Sequence, residues 1–485
     1  MAAVGILGAG LSGVLMGMQV RRAGLDDFVI YEREADVGGT WLRNTYPGLH
    51  CDVPSHLYSY SFEPNPNWSM TYAGQAEIQA YVRACAEKYG LIEHIRFGET
   101  VERAVWEDGD GAWRVETAAG EAAAHRVLVA ATGGLTAPNL PRLDGLERFA
   151  GPSWHSGAWR HDVDLAGRRV AVIGSAASAV QVAPEAAKTA AALHVFSRTP
   201  NWILPRGNRF YSEAEREALL APQHQRRLRR SQYREALLWY GAFKRRRRAQ
   251  DRIRELCLTA LRASIEDPDL VAALTPDYEP GCKRILVCDE YYPTLALPHV
   301  RLVPHAVTGL TADGVLSADG AHTPVDVVIF CTGYKLGGRA EGGPAVEVVG
   351  RGGERLRDAL RRSTEAYRGV AVPGFPNYFT VCGVNGTVAY GALISSAEAE
   401  TEFITGWVRR LTDGGVKSVE ARRDVTERYN AQIQLELAEM SWTGGCPNFY
   451  LDRAGRVVAF YPGTLGRLRR ELREADPEEL VVAAW

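Results

Sequence analysis

The chain has 485 residues, 46% hydrophobic and 24% charged, a size that points to about three domains and a core needing no metal or disulfide staple. Its 56 basic and 58 acidic residues leave a net charge of −2, which excludes the global basic field of a nonspecific nucleic-acid binder. The sequence contains no apolar run of about 18 residues, so no membrane span is expected.

The elements follow in chain order. Val4–Leu7 reads as a short buried strand, followed by a glycine turn, an apolar stretch to Ala23 and a second strand at Phe28–Tyr31. This is the start of a parallel α/β unit. Met1 to Val20 is uncharged, but it lacks a basic leading region and is broken by five glycines, so it is not expected to be a secretion signal. Arg126–Ala131 is a further strand. Arg169–Ile173 opens a second strand–turn–helix–strand unit, closed by Leu193–Phe196, and Val325–Phe330 is another buried strand.

Residues from about 208 to 270 are different, rich in Arg, Glu, Ala and Leu. Ile253, Leu256, Cys257, Ala260 and Leu261 recur at helical spacing, so a helical insertion is expected. Its Lys244–Arg248 run is read as a solvated helix face, since Glu and Asp lie nearby; nucleic-acid binding through it is the competing reading. The eight cysteines are scattered, without a CxxC pair or zinc spacing. They are expected to be mostly small buried apolar residues in a reducing compartment, the cytoplasm, with no metal site. Glycine is enriched, at 49 residues, about 10% against a usual level of about 7%, without a repeat, so the excess belongs to particular turns.

Two of those turns carry chemistry. Gly8, Gly10 and Gly13 form a full GxGxxG directly after a strand, and Glu32 ends the next strand 24 residues after Gly8. Glycines there allow a tight turn, close approach of a pyrophosphate and helix-on-strand packing, while the acid accepts hydrogen bonds from ribose hydroxyls. The second turn is Gly174-Ser175-Ala176-Ala177-Ser178-Ala179, with alanines at the second and third glycine positions. At the same offset of 24 residues stands Arg198, followed by Thr199. A guanidinium binds a 2′-phosphate that a carboxylate would repel. The first turn therefore suits FAD or NAD, and the second NADPH. A reduced flavin needs an acceptor, and with no active-site cysteine pair, dioxygen or a carrier is the natural one.

The sequence resembles the type I Baeyer–Villiger monooxygenases over nearly its whole length. Phe149 to Trp159 fits that family's fingerprint FxGxxxHxxxW, with His155 and Trp159 at the marked positions. Gly39, Trp41, Tyr46, Pro47, Gly48 and Asp52 fit a second, longer motif. Gly281-Cys282-Lys283-Arg284 resembles the active-site arginine segment, Gly383-Val384-Asn385-Gly386 the returning FAD segment, and Gly445 to Asp452 the C-terminal segment. Arg160 departs from the family's usual Pro or Asp and matches the related flavin-containing N- and S-monooxygenases, so heteroatom hydroxylation is the alternative activity.

The resemblance implies an α/β fold with two Rossmann-like dinucleotide-binding domains, for FAD and NADP, and a helical insertion. The expected division is 1–145 and 337–485 for FAD, 146–207 and 279–336 for NADP, and 208–278 for the insertion. It implies NADPH- and O₂-dependent insertion of one oxygen next to a ketone carbonyl through a C4a-peroxyflavin. It places Arg284 as the catalytic cation, oriented by Asp52. Cofactor contacts are implied at Gly8, Gly10, Gly13, Glu32, Gly39, Thr40, Trp41, Asp52, Tyr58, Val101, Gly174, Ser175, Ala176, Ser178, Ala179, Gln181, Arg198, Thr199, Lys283, Arg284 and Asn385. His155 and Trp159 are expected in a linker between the dinucleotide domains, with a conformational role.

Overall fold

The computed structural model describes residues 2–335 and 346–485; the expected boundary between 336 and 337 lies outside them. Two five-stranded parallel sheets organise the chain. The first runs Tyr378–Thr380, Val127–Ala130, Val4–Leu7, Phe28–Glu32, Ile95–Phe97. Every residue of its two central strands, Val4–Leu7 and Phe28–Glu32, is buried, the continuous burial of parallel strands covered on both faces. The second runs Val300–Val303, Ala192–Phe196, Arg169–Ile173, Val327–Phe330, Ser153–His155. In both, the first strand of the unit lies at the centre and is followed by a helix, Leu11–Arg22 or Ala177–Ala187. Each sheet thus opens a crevice at the C-terminal end of its central strand, where open α/β sheets bind ligands. Tyr378–Thr380 returns the chain to the first sheet after it has completed the second.

Three expectations are corrected. His155 lies in an edge strand, not a free linker: Ser153–His155 pairs in parallel with Val328–Phe330, so the ladder fixes its backbone. The basic run is mostly a turn between helices rather than a helix face. The helix Pro222–Phe243 ends before it, Arg245 takes φ 52°, and Arg247–Ser264 begins within it. Two of its four arginines find acids, Arg245 on Glu279 at 2.8 Å and Arg247 on Asp251 at 3.6 Å. Finally, Cys282 and Cys446 form a disulfide, while the other six cysteines are free; partners 164 positions apart leave no local trace in a sequence.

The helical insertion contains Glu213–Leu219, Pro222–Phe243, Arg247–Ser264 and Pro268–Leu274. Ser212 starts it with a reciprocal capping box to Glu215, which satisfies two end N–H groups. Of the helical-period residues, Ile253, Cys257 and Leu261 are buried. Helix Pro222–Phe243 is pinned to the first unit: Arg229 donates to the carbonyls of His56, Leu57 and Ser59 at 2.8–3.2 Å, and the Tyr240 hydroxyl donates to the Pro462 carbonyl. A mixed four-stranded sheet, Glu347–Val349 parallel to Val101–Glu107 and then Ala112–Thr117 and Ala122–His125 antiparallel, also packs on the first unit, with Trp113 buried and donating to the Pro376 carbonyl. Among the described residues, no helix is long and apolar enough to cross a membrane, and no His, Cys, Asp and Glu cluster is arranged to hold a metal.

Candidate active site

The first crevice is shaped by absent side chains. Gly8 adopts φ +97°, and a Cβ there would approach the Ala131 carbonyl oxygen to 2.9 Å; a Cβ on Gly13 would collide with the Gly8 carbonyl oxygen. Gly10 caps the following helix without a side-chain hydrogen bond, so end N–H groups and the helix dipole stay available to a pyrophosphate. Gly39 lies directly against Gly10, which brings Thr40 and Trp41 to the same crevice. Glu32 is 6% exposed and accepts the Ala9 N–H at 2.7 Å and the Glu34 N–H at 2.9 Å. Each of its oxygens retains a lone pair for a ribose hydroxyl. Val101 begins a strand two residues past Glu99, whose N–H donates to the Glu32 carbonyl. Glycine turn, uncapped helix end and acid together fit the adenosine diphosphate half of FAD.

The segment from Gly38 to Asp52 runs from this crevice to the second unit. Trp41 donates its indole N–H to the Tyr58 hydroxyl at 3.0 Å, with the rings edge to face. Tyr46 packs into the apolar core of the second unit and its hydroxyl donates to Gln181, whose amide donates to the His50 carbonyl at 3.0 Å. Gln181 thus sits where the two units meet, with both ends of its amide engaged. At the end of the segment Asp52 receives Arg284 through Nε at 2.8 Å and through Nη2. The two are 232 positions apart. Arg284 keeps 44% of its side-chain surface accessible, so the guanidinium is paired to Asp52 and still open to an incoming group. The Asp52 carboxylate holds its pKa above the ordinary arginine value. A guanidinium so placed is a fixed cation that does not release a proton.

The second crevice repeats the first with altered chemistry. Gly174 adopts φ +132°, and a Cβ there would collide with the Cys331 carbonyl oxygen. Ala176 caps the helix Ala177–Ala187 without a side-chain bond, Ala179 is buried in the third glycine position and Ser178 lies beside it in the first turn. The Ser175 hydroxyl donates to the Thr199 carbonyl at 2.9 Å. Arg198 is exposed, and Lys283, half-buried with its ammonium 4.9 Å from the Tyr278 ring centre, lies close to it. Burial first, and Arg198 second, lower the Lys283 pKa below the ordinary lysine value. Two adjacent cations fit a bound dianion such as a 2′-phosphate. Because the Lys283 charge is lost as pH rises through its depressed pKa, the KM for NADPH should begin to climb with pH below the ordinary lysine range, while that for NADH stays flat. Lys283→Arg should remove the rise. Steady-state KM values for both nucleotides, taken as pH rises into that range, check it.

The fingerprint segment touches both units. His155 is buried and its Nδ1 accepts the Gly157 N–H at 3.0 Å; burial lowers its pKa, so it is neutral at pH 7. Its ring meets Tyr334 edge to face, and the Tyr334 hydroxyl donates to Asn44 in the Gly38–Asp52 segment. Trp159 packs edge to face on Trp154. Arg160, which motivated the heteroatom alternative, is held at the surface by Asp162 at 2.7 Å. Asn385, at φ 54°, spends its amide on the Val457 and Phe460 carbonyls at 3.0 and 2.7 Å. It therefore ties the returning segment to the C-terminal one, and its buried Oδ1 has no partner. Tyr450, which sequence reasoning gave no role, is buried among Trp442, Phe449 and Phe460 and interacts electrostatically with Arg284 and Asp52. Its place in the motif-like stretch Gly445 to Asp452 was the available signal.

Comparison with known proteins agrees with this geometry. Residues 1–244 match the model of a family described as flavin-binding monooxygenase-like. A Baeyer–Villiger monooxygenase of Streptomyces coelicolor is 39% identical over 487 aligned residues, covering 99% of this chain and 92% of the relative. Another, of Pseudomonas aeruginosa, is 37% identical over 98% of this chain and 90% of its own. Among solved structures, an oxidised steroid monooxygenase bound to NADP superposes with a TM-score of 0.87 at 29% identity, covering 99% of both chains.

Proposed function

We propose Baeyer–Villiger oxygenation of a ketone on the premise that this chain belongs to the flavin-binding monooxygenase-like family. It is an FAD-containing, NADPH-dependent monooxygenase acting on a small molecule and O₂. The substrate class is a ketone, and the product an ester or lactone with one oxygen inserted beside the carbonyl. FAD, once reduced by NADPH, supplies the activated oxygen; the rest falls to the protein. Residues 1–145 and 337–485 hold FAD through the first turn, Glu32 and the Gly39–Trp41 segment. Residues 146–207 and 279–336 hold NADPH through the second turn, Arg198, Thr199 and Lys283, and 208–278 is an insertion covering the first unit.

The observation that carries this reading is the Arg284–Asp52 pair at the junction of the two units. Negative charge grows on the inserted oxygen and then on the carbonyl oxygen. A preorganised guanidinium stabilises both without protonating them, and Asp52 keeps it oriented. His155 and Trp159 act in positioning the two units. The reading places the enzyme in the cytoplasm, where NADPH is made, with no nucleic-acid partner. The acids facing Arg245 and Arg247 support that last point.

Incubating FAD-loaded protein with NADPH, ¹⁸O₂ and a panel of cyclic, linear and aromatic ketones should place one labelled oxygen in the ester. NADPH oxidation without ester across the panel overturns the reading. Oxygenation of amines or sulfides alone assigns the enzyme to heteroatom chemistry instead.

A further inference from the structure

The disulfide between Cys282 and Cys446 is used by nothing above. It lies two residues before Arg284. From Gly281 to Ile285 the backbone forms no helix or strand, so anchors at its ends set where Arg284 sits. On one side, Leu286–Val287 pairs with Ile203–Leu204, which continues from Arg198 in the second unit. On the other is the disulfide. Gly281, at φ +95°, is pressed against Phe243 and Ser441, which would each lie 2.8 Å from a Cβ there. Cys446 belongs to the loop ordered by Asn448, whose amide donates to the Trp442 carbonyl and whose Oδ1 accepts the Tyr450 N–H, both at 2.9 Å. Tyr450 in turn accepts the Val458 N–H through its carbonyl, and Asn385 clamps Val457 and Phe460. One covalent bond thus joins the arginine segment to the part of the chain that returns to the first unit.

We propose that this disulfide is a positioning element for oxygen transfer: it seats Arg284 against Asp52, and its reduction by a dithiol uncouples oxygenation from NADPH consumption while flavin reduction continues. The proposal rests on the oxygenation reading given above. Cys282 is fully buried and Cys446 is 9% exposed, so a thiolate attacks the Cys446 sulfur. The disulfide bond breaks, and Cys282 leaves as a thiolate that takes up a proton. The second thiol of the reductant then displaces Cys446, giving two protein thiols and the oxidised, cyclic reductant, a two-electron exchange. Disulfides in reducing compartments are characteristically of this responsive kind.

The test uses the FAD holoenzyme with and without dithiothreitol. Alkylation and mass measurement should find six reactive thiols in the denatured untreated protein and all eight after reduction. Hydrogen exchange in residues 280–287 should rise on reduction. The rate of flavin bleaching by NADPH should stay within about twofold, while ester formed per NADPH falls about ten- to a hundredfold, as a displaced orienting group does. Reoxidation should restore the ratio. The double variant Cys282→Ser, Cys446→Ser should behave as the reduced enzyme and ignore dithiothreitol; if it does not fold, the treated wild-type protein decides alone. Eight thiols before reduction, unchanged exchange in 280–287, or equal losses in bleaching and oxygenation would each overturn the proposal. Raised exchange with no ester in either redox state upholds the positioning role and overturns the oxygenation reading instead.

Discussion

Replacing Arg284 with alanine should lower ester formation about 10²- to 10³-fold, the usual cost of removing one preorganised donor from a developing anion, while NADPH still reduces the flavin at close to its normal rate. The two half-reactions separate because their cations differ. Lys283 and Arg198 belong to the second crevice, and Arg284 is held by Asp52 across the junction. The variant should therefore consume NADPH and release hydrogen peroxide. Alanine also leaves the Asp52 carboxylate without its partner, and an unpaired anion there opposes the negative charge the reaction builds. Adding Asp52→Asn should recover stability but not oxygenation. Arg284→Lys should recover little, because an ammonium lacks the two-pronged fork that Asp52 receives and gives up its proton more readily. Stopped-flow bleaching of the flavin, with ester and peroxide yields, measures each part. Slow bleaching with a normal ratio of ester to NADPH would show that Arg284 serves nucleotide binding instead.

How much of this was legible in the sequence follows from how local each feature is. Gly8, Gly13 and Gly174 announce themselves because a tight strand-to-helix turn has no room for a Cβ, a demand met within six residues. Glu32 and Arg198 are legible at one remove, since a strand–helix–strand unit of fixed length brings the end of its second strand beside its first turn. The Arg284–Asp52 pair was reached only through resemblance, as nothing local in either segment calls for the other. The disulfide and the Asn385 clamp are less legible still. Each is settled by where a late segment returns to the fold, and Asn385, placed among cofactor contacts, has its amide committed to the C-terminal segment. His155 was misplaced for a related reason. Three residues are too few for alternation to mark a strand, and what makes Ser153–His155 one is the neighbouring edge of Val328–Phe330.

Arg198→Ala should raise the KM for NADPH about 10- to 100-fold and leave that for NADH within about twofold. A hydrogen bond to a charged group contributes about 1.5–3 kcal/mol, and each 1.4 kcal/mol is about a factor of ten. Lys283 keeps part of the attraction for the phosphate, so the loss stays at the lower end of that range. Removing both cations should cost more than either alone without summing, because neighbouring charges act on each other. That coupling supplies a second, independent reading. Arg198 is one of the two causes that lower the Lys283 pKa, so its removal must let that pKa rise. The pH at which NADPH binding begins to weaken should then move upward in Arg198→Ala even as the affinity itself falls. A merely structural arginine has no reason to produce opposite movements of affinity and titration. Equal effects on NADPH and NADH, or a fixed pH limb, would remove both cations from the 2′-phosphate site.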